Sequence, residues 1–211
     1  EAVLPALARA VGADVCFHHE EATPEETTVE AEVEAALAAI GVRLDGAWGH
    51  TLVHPDDLPF DLDALPDVFT RFRTAVEERG TTPPRFRAAC EPRAAFAAPG
   101  ALPPLPASLD VGALPTLAEL GHPDGAPDDP RALVRFAGGE TAALERLEHW
   151  AFALDRLGRY RRTRDGMLHP DDGSRLSPWL AHGCLSPRAA YAAIRRYERA
   201  RGGAAEDTYW L

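Results

Sequence analysis

The chain contains no lysine, one methionine and three cysteines. All of its positive charge therefore rests on arginine. Cys16, Cys90 and Cys184 are odd in number and far apart, which fits neither a disulfide framework nor a zinc site and leaves reduced structural thiols. No run approaches the roughly 20 uncharged apolar residues that a membrane helix needs, and the first residues lack the basic-then-apolar order of a signal peptide. A cytoplasmic protein is expected. There is no internal repeat. What is present, 211 residues of which 45% are hydrophobic, suffices for one large domain or two small ones.

A net charge of −11 argues on its face against a nucleic-acid partner. Its distribution reverses that impression. Residues 1–130 carry 8 Arg against 23 acids, a net of −15, whereas residues 131–211 carry 14 Arg against 10 acids, a net of +4. The first part would repel phosphate and the second could attract it. The chain opens at Glu1 inside a helix-like pattern (Leu4, Leu7, Ala8, Val11) and stops at Tyr209-Trp210-Leu211 without a terminating signal. It reads as cut at both ends.

Residues 1–11 pattern as an amphipathic helix that Gly12 stops, and residues 13–17 as a short buried strand. Thr23-Pro24-Glu25-Glu26 then supplies a helix start: Thr as cap, Pro at the first helical position, acids in the first turn. Val29, Val33, Ala36, Leu37 and Ile40 continue its apolar face until Gly41, and residues 42–48 form the next strand. Helix and strand alternate as in a parallel α/β sheet. A helix around residues 70–76 extends this domain to about residue 85. Residues 86–130, rich in Pro, Gly and Ala, read as a linker. From Arg131 the pattern is helical, with Leu144, Leu147, Ala151 and Leu154 on one face, a second helix near residues 176–182 and a third from Pro187 to about Ala200. The fold class is thus α/β followed by all-α.

Between these helices, Gly173-Ser174-Arg175-Leu176-Ser177 places a flexible glycine and two hydroxyls at a helix start, where free N–H groups make an anion site. The same pattern also serves as a simple helix cap. His18-His19 followed by Glu20 and Glu21 does not read as a metal site, because adjacent strand residues point to opposite faces.

Four blocks extend this reading: Gly138-Gly139-Glu140-Thr141-Ala142-Ala143-Leu144, Tyr160-Arg161-Arg162-Thr163-Arg164-Asp165, residues 174–188, and Asp207-Thr208-Tyr209-Trp210-Leu211. In order and spacing they resemble the flavin domain of the photolyase/cryptochrome family. Ser177-Pro178-Trp179-Leu180 and Asp67-Val68-Phe69-Thr70-Arg71-Phe72-Arg73 resemble the DASH cryptochromes in particular. The resemblance implies an incomplete Rossmann-like antenna domain at 1–85, an interdomain linker at 86–130 and the start of a helical FAD-binding domain at 131–211. It implies FAD contacts at Tyr160, Gly173, Ser174, Arg175, Leu176, Ser177 and Trp210, with Gly173 standing where Thr or Ser is usual. Arg164 matches a DNA-phosphate contact, with a solvated helix-end arginine or a partner for Asp165 as the alternative. Glu26 matches the acid that binds a methenyltetrahydrofolate antenna, with helix-dipole pairing as the alternative.

The activity implied is blue-light-driven repair of cyclobutane pyrimidine dimers, mainly in single-stranded DNA, by a monomeric deoxyribodipyrimidine photolyase. The alternative is a blue-light photoreceptor or transcription regulator that binds FAD without repair. The dimer-contacting residues, the tryptophan electron path and the adenine pocket fall outside the 211 residues. By themselves, these residues are expected neither to hold FAD tightly nor to repair DNA.

Overall fold

The computed structural model describes residues 3–78, 105, 107, 112–122 and 129–201. The chain divides into two units, one of Glu1–Gly49 with Arg93–Pro130, the other of His50–Pro92 with Arg131–Leu211. Most of the expected linker lies outside the described residues, as do Cys90 and Trp210.

In the first unit, α1 (Val3–Val11) leads into β1 (Val15–His19), α2 (Pro24–Ala38) and β2 (Arg43–Ala47). Both strand entries are set by glycines in the left-handed region, Gly12 at φ 65° and Gly41 at φ 76°, where a side chain would be strained. The strands pair in parallel, Cys16 opposite Leu44 and Phe17 opposite Asp45. Cys16 and Leu44 pack on Ala8, Leu37 and Val42, together with Val33 and Ile40. Among the described residues nothing covers the opposite face, where Phe17 is 75% exposed, so the strand expected to be buried is covered by them on one side only. Thr23 flanks α2 in extended geometry but its hydroxyl makes no capping bond. The first turn relies on Pro24, Glu25 and Glu26, and the hydroxyls of Thr27 and Thr28 turn back to main-chain carbonyls.

The second unit contains α3 (Phe69–Glu78), whose Phe72 meets Phe60 with ring centroids 5.5 Å apart. Further along run α4 (Glu140–Glu148), a π-helical turn (His149–Ala153), and the short α5 (Tyr160–Thr163) and α6 (Ser177–Ala181), followed by α7 (Pro187–Arg201). The expected uninterrupted helix through Leu154 is replaced by the wide turn, closed by Leu154 N–H donating to His149 O at 2.9 Å. The buried stripe is accordingly Ala143, Leu147, Trp150 and Ala151, while Leu144 is 44% exposed.

One core gathers Ala143, Leu147, Leu176, Trp179, Leu185 and Ala190, and a second gathers Trp150, Ala151, Leu157 and Tyr197. Tyr197 Oη donates to Asp155 Oδ1 at 2.6 Å, closing the turn that precedes α5. Asp155 sits there at φ 52°. Burial, then the Asp155 carboxylate, raise the Tyr197 phenol above its usual pKa. With the folded pKa above the unfolded one, the contribution is full below the unfolded value of about 10 and is lost as pH climbs through the folded value. Thermal melts of Tyr197→Phe are expected to show a loss of roughly 1 to 3 kcal/mol near neutrality, for a hydrogen bond to a charged group. Above pH ~10 that loss should narrow. A constant difference at all pH values would contradict this.

Candidate functional site

Residues 164–176 cross from α5 to α6 without regular structure, and side chains from three preceding elements hold their carbonyl edge. Arg146 falls three residues after Ala143 and one before Leu147, on the buried stripe of α4. Its side chain is only 12% exposed. The guanidinium donates through Nη1 to Asp171 Oδ1 at 2.8 Å and through Nε to Ser174 O at 3.0 Å. Nη2 reaches Pro170 O at 3.2 Å and Gly173 O at 3.3 Å. Trp150 Nε1 donates to Asp171 O at 3.0 Å, and Thr163 Oγ1 to Asp172 O at 2.8 Å.

In a trans peptide the C=O of one residue and the N–H of the next point in opposite directions. Anchoring the carbonyls of Asp172, Gly173 and Ser174 thus turns the amides of Gly173, Ser174 and Arg175 the other way. Among the described residues, no acceptor meets the N–H of Gly173, Ser174, Arg175, Leu176 or Ser177, and the hydroxyls of Ser174 and Ser177 make no hydrogen bond. Arg175 is left-handed at φ 59° and Leu176 right-handed at φ −81°, the alternation that makes main-chain N–H groups converge into an anion-binding nest. A left-handed non-glycine residue costs about 1 to 2 kcal/mol. Arg175 Nη2 reaches the carbonyls of Met167 and His169, each at 3.4 Å, while its Nε is buried without a partner.

The sequence-derived FAD residues 173–177 thus come together in one loop. Leu176 contributes its amide there, since its side chain is 4% exposed and packs on the first helical core. The helix dipole anticipated at this start is slight, because α6 has only five residues. Tyr160 opens α5 and meets the edge of buried Trp150 at 5.6 Å between centroids. Arg164 ends α5 with its Nε 3.8 Å from Asp165, a loose contact with a 91% exposed carboxylate. In the first unit, Glu26 stands exposed with no partner among the described residues. Glu30, on the same helix, accepts from Glu21 N at 2.8 Å and lies 3.5 Å from His18 Nδ1. Sequence reading missed Arg146, Trp150 and Thr163. The available signal was a charged residue at a helical position whose neighbours, three and four apart, are apolar.

The DNA photolyase family model matches residues 1–92. Cryptochrome DASH of Gloeobacter violaceus is 43% identical over 211 residues, covering 100% of this chain and 40% of that protein. The chloroplastic/mitochondrial cryptochrome DASH of Arabidopsis thaliana is 41% identical, over 100% of this chain and 35% of its own length. Among solved structures, a cryptochrome of Synechocystis aligns with a TM-score of 0.80 and 39% identity, over 100% of this chain and 41% of the other. The α/β-then-helical architecture and these matches define a photolyase-type fold. The chain belongs to the photolyase/cryptochrome family, and its full-length similarity is to part of the cryptochrome DASH proteins. It spans about two fifths of the length of those relatives.

Gly173 is not a steric requirement. Its φ is not positive, and a Cβ built there meets nothing within 4 Å. Gly173→Ser is therefore expected to leave the melting temperature unchanged or to raise it slightly, by no more than about 1 kcal/mol of stability. A marked drop in a thermal melt would show that the loop needs glycine.

Proposed function

We propose that the chain is part of a blue-light-dependent FAD photolyase of the cryptochrome DASH type, acting on cyclobutane pyrimidine dimers in DNA, with residues 173–177 receiving the FAD diphosphate. The observation that carries this reading is the run of five main-chain amides that meet no acceptor among the described residues, in a chain of this family. The loop fits the group: converging N–H groups and two unengaged hydroxyls are donors suited to phosphate oxygens. The buried, unpartnered Nε of Arg175 adds positive charge beside them. When bound, reduced FAD supplies a light-driven electron to a pyrimidine dimer and recovers it after the dimer splits.

The chain's own residues bind and orient. Tyr160, backed by Trp150, presents an aromatic surface one turn before Thr163, which anchors the loop. Trp210, matched to a flavin contact by resemblance, lies outside the described residues. Arg164 supplies a phosphate contact that positions DNA, the single-stranded form for a DASH-type protein, without reading its sequence. Glu26 offers its exposed carboxylate to the amino-pyrimidinone edge of a methenyltetrahydrofolate antenna. The proposed domain order keeps an antenna domain at 1–85 and the start of the FAD domain at 131–211. Among the described residues no helix is long and apolar enough to cross a membrane.

In the complete gene product, Ser174→Ala combined with Ser177→Ala removes two hydrogen bonds to a charged group, about 1 to 3 kcal/mol each. FAD affinity, read by flavin fluorescence, is expected to fall roughly tenfold or more. Unchanged affinity would overturn the diphosphate assignment. Light-dependent loss of dimers from single-stranded and duplex DNA tests the repair reading, and no turnover on either would favour a photoreceptor.

A further inference from the structure

We infer that Arg146 is the positioning residue of the diphosphate loop, an inference that rests on the FAD reading above. Its four hydrogen bonds go to three carbonyls and one carboxylate of the segment 170–174. Two of those carbonyls, on Gly173 and Ser174, fix the peptide planes whose N–H groups belong to Ser174 and Arg175. Thr163 does the same for the plane ending in the N–H of Gly173. Three consecutive amides of the proposed phosphate site thus owe their direction to contacts on the reverse side of the chain.

Arg146 acts through the loop. Its charge is matched by Asp171, and three further donor contacts go to the loop's carbonyls. The chemistry needs arginine. A guanidinium carries five N–H donors in a rigid plane and can hold several acceptors at once, whereas an ammonium is a compact point charge with three donors on one nitrogen. Substitution by a neutral residue leaves three carbonyls and a carboxylate facing one another in a half-buried space. The loop then relaxes, and its amides lose their common aim.

A merely structural role would affect the whole flavin equally, so the test separates the diphosphate from the ring. FAD and riboflavin, which lacks phosphate, are titrated into the apo form of the complete gene product bearing Arg146→Gln or Arg146→Lys. Flavin fluorescence gives affinity, and amide hydrogen exchange reports on residues 173–177. For Arg146→Gln, FAD affinity is expected to fall about tenfold or more while riboflavin changes less than about twofold, with faster exchange in the loop. Arg146→Lys should lie between that variant and the parent. If Arg146→Gln does not fold, the FAD-to-riboflavin affinity ratio of Arg146→Lys decides: a fall supports the inference and an unchanged ratio overturns it. Equal losses of both ligands, or no loss of FAD, also overturn it. The Ser174→Ala, Ser177→Ala variant separates the two failures. If that variant binds FAD normally, the diphosphate reading itself fails. If it weakens FAD while Arg146→Gln does not, only the role of Arg146 falls.

Discussion

A guanidinium held among main-chain carbonyls organises the described helical segment around residues 146–176. Burying an arginine costs several kcal/mol unless its donors are matched. Here a carboxylate and three carbonyls match them, and all four acceptors come from the 170–174 stretch. That stretch could not satisfy those carbonyls by itself, since it forms neither helix nor strand. The arginine and the loop are therefore conditions for each other. Deleting either leaves buried polar atoms without partners.

The π-helical turn complements this arrangement. Had α4 continued with regular spacing, the residues after His149 would take a different angular position around its axis. Trp150, at the start of this turn, lies fully buried in the second helical core while its indole N–H reaches Asp171 O. Arg146 and Trp150, four apart, then grip the same loop from consecutive turns. The loop connects both cores, because Leu176 belongs to the first and Asp171 bonds to Trp150 of the second.

Much of this was legible in the sequence wherever one residue decides the backbone. Gly12 and Gly41 end their helices in the left-handed region, Pro24 opens α2, and α7 starts at Pro187 as its pattern implies. The sequence failed where a local rule met a tertiary contact. Thr23 fits a cap, yet its hydroxyl makes no such bond, because the helix start is already settled by Pro24 and two acids. Leu144 fits a regular apolar face, yet Ala143 lies inside, in one core with Leu176 and Trp179. Phe17 reads as buried because a parallel strand usually has both faces covered, and in the described sheet only one is. The loop residues 173–177 were identified by their resemblance; their orientation was not, since it depends on carbonyls 24 to 28 residues distant from Arg146.

The charge asymmetry also acquires a location. Several arginines of the second half are occupied: Arg146 with Asp171, Arg196 with Glu148, Arg195 with Glu198 and Arg201 with Asp155. The last three, with arginines about half exposed, contribute little stability but cancel charge locally. Residues 156–164 contain five arginines and no acid, with Asp155 and Asp165 flanking the run. This run encloses Tyr160 and ends beside Thr163, whose hydroxyl anchors the loop. The positive excess is therefore concentrated next to the proposed cofactor contacts. Local concentration, more than the modest net charge of the second half, is what would draw a diphosphate or a DNA backbone to this segment despite an acidic chain.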